Sequence, residues 1–350
     1  MSWIPVDDDA EEPYGQYADL EVRQRPNPKA NRPRTKRRPE HADAVVGMVT
    51  GVDRGRYQVL VQGSGSTGGE RMVTATRARE LHRTPIVIGD RARLVGDTSG
   101  AEGTLARIVG LEDRRTLLRR SADDSDRLER VMVANADQML IVVAAANPEP
   151  RVRLVDRYLV AAYDAGITPL ICITKTDIAD PEPFLSHFAA LAVPVFRSRP
   201  DAEPLADIRA ALAGKTTVFV GHSGVGKSTL INALVPDAQR AIGHVNEVTG
   251  RGRHTSSSSV ALRALTPGCV EGESGWVIDT PGVRSFGLGH VTSDGVLRGF
   301  VDLAPLIDVC PRGCTHDDDA PDCELDAAIA DGRLDAAGAA RVESLRRLLR

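Results

Sequence analysis

Glycines, one lysine and one serine stand at the spacing that wraps a phosphate chain. Gly221-His222-Ser223-Gly224-Val225-Gly226-Lys227-Ser228 satisfies G-x-x-x-x-G-K-[ST], with Thr229 next in line. The glycines let successive backbone N–H groups turn toward phosphate oxygens, and the N-terminus of the following helix adds a favourable dipole. Lys227 can reach β- and γ-phosphates, and the Ser228 hydroxyl can ligate magnesium. Only five of the 44 basic residues are lysines, so a chance match is rare. An apolar strand precedes the loop and an amphipathic helix follows it, which makes a bare glycine turn the weaker reading.

Two further strand ends carry compatible chemistry. Asp279-Thr280-Pro281-Gly282 follows Gly275–Ile278. An Asp there can hold the magnesium shell, and the Gly282 N–H can face a γ-phosphate. Thr174-Lys175-Thr176-Asp177 ends another apolar run. Its Asp carboxylate can accept hydrogen bonds from N1–H and N2–H₂ of guanine, a pair that adenine does not offer, while the Lys175 stem lies along the base. Thr174 replaces the Asn of the commoner Asn-Lys-x-Asp and so forgoes an amide that could brace the loop. Ser198, after Phe196, is expected near the base. A fourth constellation is Cys310, Cys314, His316 and Cys323. Three thiolates and one imidazole complete a tetrahedral zinc shell with no open position, which is the mark of a structural site. Cys172 and Cys269 read as small buried hydrophobes.

These residues need a scaffold, and the texture of the chain supplies one. Val45–Val52, Arg56–Val61, Arg71–Ala75, Asp90–Val95 and Leu105–Leu111 are β-rich and separated by glycine turns. Five such strands suit an oligonucleotide/oligosaccharide-binding (OB)-like barrel, with an SH3-like barrel the alternative that the pattern leaves open. Residues 113–135 read as a linker, dense in charge around Arg114 to Arg130. From Ala136 to about residue 290, strands alternate with helices: Gln138–Ala144, Val152–Ala165, Pro169–Thr174, Val193–Phe196, Ala202–Leu212, Thr216–Val220 and Lys227–Leu234. That rhythm predicts a doubly wound, mainly parallel sheet with its ligand at the carboxyl ends of the strands. Residues 291–350 read as a helical, zinc-binding domain. The base motif precedes the phosphate loop, the reverse of the usual order. The C-terminal domain therefore follows Asp279 directly, where a shift of that loop could move it as a lever.

Composition limits the classes available. The chain has 350 residues, 42% hydrophobic and 26% charged, as in a multidomain soluble α/β protein. The longest strongly apolar run, Met139 to Ala146, is far too short for a membrane span. The acidic N-terminus lacks the basic region of a secretory signal, and the clustered cysteines point to metal rather than disulfides, so a cytoplasmic protein is expected. Residues 1–42 are acidic first and then basic. Arg23 to Arg38 holds eight basic side chains and no acid, and is expected to be disordered and to touch nucleic acid.

Taken together, these motifs resemble the bacterial small-subunit-dependent, circularly permuted GTPases of the RsgA family over roughly residues 43–350. The resemblance rests on the Gly221–Thr229 loop, on Asp279–Gly282 with the following Val283-Arg284-Ser285-Phe286, and on Gly252-Arg253-His254-Thr255, similar to the family's first switch. Serines 256 to 259 stand where the family often has threonines. The metal spacing also departs, with three and six intervening residues where the family has four and five. The resemblance implies an OB-like barrel, a circularly permuted P-loop GTPase and a zinc domain, in that order. It implies GTP hydrolysis to GDP with magnesium, stimulated by the 30S ribosomal subunit, 16S rRNA contact, late subunit maturation and a monomer without membrane attachment. Val283 stands where related folds often place a water-orienting Gln. His254 is then the candidate catalytic group, beside Thr255 in the same switch. Two alternatives stand: an RNA-binding assembly module whose nucleotide only gates docking, and a permuted GTPase acting on the large subunit.

Overall fold

The computed structural model describes residues 41–63, 69–81, 84–121, 129–199, 205–235, 260–264, 274–280 and 291–349. The expectations for residues 1–40, and those for Thr255, His254, Gly282, Val283 and Cys269, lie outside the described residues. Residues 41–350 group as one compact unit.

The chain begins with β1 (Val45–Asp53), β2 (Arg56–Val61), β3 (Arg71–Arg77), β4 (Arg91–Gly96) and β5 (Ala106–Leu111). Antiparallel pairs β1–β2, β2–β3, β4–β5 and β1–β4, with a parallel β3–β5 pair, close these strands into a barrel. This five-stranded closure is the OB arrangement, which settles the choice against an SH3-like barrel. Alternation sends Tyr57, Val59, Val61, Val73, Ala75, Leu94 and Ile108 inward to a core of the barrel's own. A register shift between Val49 and Gly51 marks a bulge in β1, beside the residue that also meets β12.

The segment read as a linker is a structured hairpin. β6 (Leu117–Ser121) and β7 (Glu129–Ala134) pair antiparallel. Charge density concealed it, although Leu118, Val133 and Ala134 are buried, the first two among residues of the next module.

That module contains β8 (Gln138–Ala144), α1 (Val152–Asp164), β9 (Thr168–Thr174), α2 (Glu182–Leu185), β10 (Val195–Arg197), α3 (Leu205–Leu212), β11 (Thr216–Val220), α4 (Lys227–Leu234), β12 (Val260–Ala264) and β13 (Gly275–Asp279). A short 3-10 turn, Ser186–Leu191, follows α2. The sheet order is β10-β9-β8-β11-β13-β12, parallel except for β12, which runs antiparallel to β13. On β8, Met139, Ile141 and Val143 face α1, whereas Leu140, Val142 and Ala144 face α3 and α4. Helices after the adjacent strands β8 and β11 thus leave to opposite faces, and the crevice between those strand ends is where such sheets bind ligands. At the far edge β12 meets β1 at Gly51 and Val260, so barrel and sheet join edge to edge.

The C-terminal part is helical: α5 (Ser293–Leu297), α6 (Ala304–Ile307), α7 (Glu324–Ala330) and α8 (Ala336–Leu349). Its apolar residues Val296, Phe300, Leu303, Leu325, Val342, Leu345 and Leu348 share one core with α1 and the sheet. Swinging these helices away as a body would expose that core to water. Among the described residues no helix is long and apolar enough to cross a membrane.

Candidate functional site: a nucleotide crevice and a metal cluster

Strand β11 delivers the phosphate loop into the crevice. At Gly221 a Cβ would stand 2.4 Å from the Val142 carbonyl oxygen of β8, so the loop can pass this close only with glycine. Gly224 and Gly226 take φ values of 82° and 91°, which turn the loop before α4 starts at Lys227. Val225 is buried as the loop's apolar anchor, whereas Ser223, Ser228 and Thr229 face outward. His222 is exposed, with its Nδ1 2.9 Å from the Ser223 carbonyl.

The other two motifs close on the same loop. The Lys227 Nζ forms an ion pair with the Asp279 carboxylate at the end of β13. The neighbouring Thr280, 2% exposed, donates its hydroxyl to the Phe219 carbonyl at 2.8 Å and pins β13 to β11. Asp279, which can hold a magnesium shell, therefore lies beside the lysine that can reach phosphates. From β9, Thr174 is 6% exposed and its hydroxyl lies 2.5 Å from the Val225 carbonyl and 3.3 Å from that of Val143. The amide missing at this position is thus replaced by a hydroxyl that braces the phosphate loop directly. The sequence alone shows only the loss of the amide. The close approach of β9 to the loop, which makes up the difference, has no local sequence signal.

Lys175, at φ 58°, carries its Nζ to the carbonyls of Asn147 and Gly224, the latter at 2.9 Å. Thr176 is half-buried and Asp177 is exposed. Ser198 donates its N–H to the Ile173 carbonyl at 2.8 Å and so borders the end of β9. Three motifs spread over more than a hundred residues therefore meet at one end of one sheet, while Gly282, His254 and Thr255 lie outside the described residues.

The cysteines and the histidine converge as well. The Cys310, Cys314, His316 and Cys323 ligand atoms all lie within 4.8 Å of one another. His316 Nδ1 is 3.7 Å from Cys310 Sγ and 3.9 Å from Cys323 Sγ. Zinc bond lengths in a tetrahedron place S and N about 3.6 Å apart, so this donor set fits a zinc-sized ion. Burial, reinforced by the neighbouring thiols, pushes Cys310 up to about 11, and burial followed by Arg346 lowers His316. A metal would displace thiol protons here, so its retention weakens as pH falls. The altered spacing leaves the set of donors that meet unchanged.

A P-loop strand at the centre of the sheet, with the base-motif strand earlier in the chain, defines a circularly permuted P-loop GTPase. A family model described as RsgA GTPase matches residues 111–289. The small ribosomal subunit biogenesis GTPase RsgA of Pseudomonas aeruginosa is 38% identical over 244 residues, 67% of this chain and 68% of that protein. The protein of the same name from Vibrio cholerae is 38% identical over 275 residues, 73% of this chain and 68% of its own length. Among solved structures, YjeQ from Thermotoga maritima superposes with a TM-score of 0.61 at 22% identity, covering 87% of this chain and 97% of its own. YloQ, described as a circularly permuted GTPase, gives 0.58 at 24% identity, over 88% and 96% of the two chains. The chain belongs to the RsgA GTPase family.

Proposed function

We propose that this GTPase hydrolyses GTP while docked on the small ribosomal subunit, contacts 16S rRNA there, and leaves the maturing particle on hydrolysis. The observation that carries the reading is the meeting of Thr174–Asp177, Gly221–Ser228 and Asp279 at one crevice, in a chain whose relatives are named for small-subunit biogenesis. Asp177 selects guanine, the loop N–H groups and Lys227 hold the phosphates, and Ser228 with Asp279 would hold magnesium. Bound magnesium supplies neutralisation of charge developing on the β- and γ-phosphates. Zinc is the metal that the Cys310, Cys314, His316 and Cys323 set would take. The protein acts as a cytoplasmic monomer.

Val283 can neither donate to nor accept from water, so the free protein turns over slowly. His254 supplies the water-orienting group when the protein is docked on the subunit. The test measures GTPase rate with purified 30S, with 50S and with neither. Stimulation by 30S alone is expected, and His254→Ala should bind GTP and 30S normally yet lose most of the stimulated rate. Fast turnover without subunits, or stimulation by 50S instead, would overturn the proposal. Full subunit-maturation activity with a non-hydrolysable analogue would instead identify a binding module.

A further inference from the structure

The base motif runs on along the chain into a short segment, 180–191, that packs against α8. Beyond Asp177, the Asp180 carboxylate accepts the Glu182 N–H at 3.1 Å to start α2. α2 and the turn Ser186–Leu191 then bury Phe184, Leu185, Phe188 and Leu191 in the core that also holds Val342, Leu345 and Leu348 of α8. Phe184 and Phe188 pack edge to face at 5.2 Å.

Three arginines of α8 decide what that packing can transmit. Arg347 donates to the His187 carbonyl at 2.9 Å, pairs with Asp156 of α1 at 3.2 Å, and lies 5.5 Å over the Phe188 ring. Arg341 donates to the Ala190 carbonyl at 2.9 Å and to that of Gly299 at 3.1 Å, and pairs with Asp302 at 2.5 Å. Arg346 points the other way, to the carbonyl of the metal-cluster residue His316 at 2.9 Å and to both Asp326 carboxylate oxygens at 2.8 Å. One helix thus grips the segment behind the base motif with two arginines and the metal loop with a third.

We infer that Arg341 and Arg347 are positioning residues for guanine recognition, and that α8 links the metal cluster thermodynamically to the base site. The inference rests on the guanine-site reading above. Linkage of this kind is reciprocal: if the metal-held loop favours the α8 position that supports Asp177, guanine nucleotide must favour metal retention equally.

The test uses the full chain and two diphosphates, GDP and inosine diphosphate, which lacks the 2-amino group that Asp177 would bind. Arg341→Ala with Arg347→Ala should weaken GDP by about fivefold and narrow the preference for GDP over inosine diphosphate. A merely destabilised protein would lose both ligands alike. Arg298→Ala is the control: Arg298 ties the C-terminal part to the Asp164 carbonyl at 3.0 Å and does not touch the 182–191 segment, so its preference should stay as in the parent. Should the double variant fail to fold, Arg347→Lys removes the fork but keeps the charge, and the same narrowing is expected. In the parent protein, saturating GDP should slow loss of bound metal to EDTA. An unchanged GDP preference in a folded variant would overturn the positioning role, and metal loss indifferent to GDP would overturn the linkage. No preference for GDP in the parent would remove the guanine site itself, and this inference with it.

Discussion

The barrel and the C-terminal helices both adjoin the nucleotide sheet, but they are joined to it by different physics. The barrel keeps its own apolar core, and polar and backbone contacts carry much of its joint. Arg114 pairs with Asp90 at 2.7 Å, Asn135 donates to the Gly89 carbonyl at 2.9 Å, and Glu70 pairs with Arg263, which itself lies 5.1 Å over the Trp276 ring. The C-terminal helices share the core of the sheet instead, with Phe300 fully buried against Tyr163 at a centroid distance of 6.0 Å. Hydrogen bonds and ion pairs can be exchanged for water at small net cost, whereas a shared apolar core cannot be opened without exposing it. Parting the barrel from the sheet would therefore expose less apolar surface than parting the C-terminal helices from it.

The largest effect expected from this contrast is that of Phe300→Ala. Removing a fully buried ring costs about 3–5 kcal/mol, and the loss should appear in one transition. Trp276 fluorescence, from within β13, and metal release should then report the same midpoint in denaturant. Metal release well before the Trp276 change would show that the C-terminal helices have a separate stability and would break the comparison.

Arg114→Ala should act on the other joint. It leaves the Asp90 carboxylate, 0% exposed, without its guanidinium, at a cost of about 3 kcal/mol. Limited proteolysis should then cut first within 41–121, while GDP affinity stays near that of the parent. An equal loss of GDP affinity would mean that the two modules are coupled more tightly than their contacts indicate.

Within the sheet, Thr174→Val keeps the shape but removes the hydroxyl that braces Val225. Leaving that carbonyl without its donor costs about 1–2 kcal/mol, or about tenfold in GDP affinity, and Thr174→Ser should restore it. The smallest effect is chemical. Burial pushes the Cys172 thiol up to about 12, so alkylation of the native protein at neutral pH should spare it. After chelation of the metal, label should enter Cys310, Cys314 and Cys323 first, and mass spectrometry reads the difference.

Much of this organisation was legible in the residues. Thr216–Val220 and Lys227–Leu234 were read to the residue, because an apolar run and a glycine-bounded helix frame a loop with strict chemistry. The barrel strands came through their glycine turns and alternation. What escaped was short or non-local. The β6–β7 hairpin mixes its apolar residues with arginines, and β12 is five residues behind a run of serines. The Thr174 brace and the arginine grips of α8 depend on distances across the fold that no local pattern encodes. The metal donors were legible because their chemistry is rare, even though their spacing was irregular.

The strand order also bears on how the chain is made. Of the nucleotide sheet, β8, β9 and β10 emerge from the ribosome before the rest and are neighbours in it, but the inner edge of β8 stays bare until β11 arrives to lie between it and β13. A parallel edge rich in apolar residues is a template for unwanted pairing during that interval. The face that receives α8 stays uncovered longer still, until the final helix of 14 residues has been synthesised. A nascent chain of this topology therefore completes the core of its nucleotide module only once α8 has emerged, and loss of α8 removes part of that core.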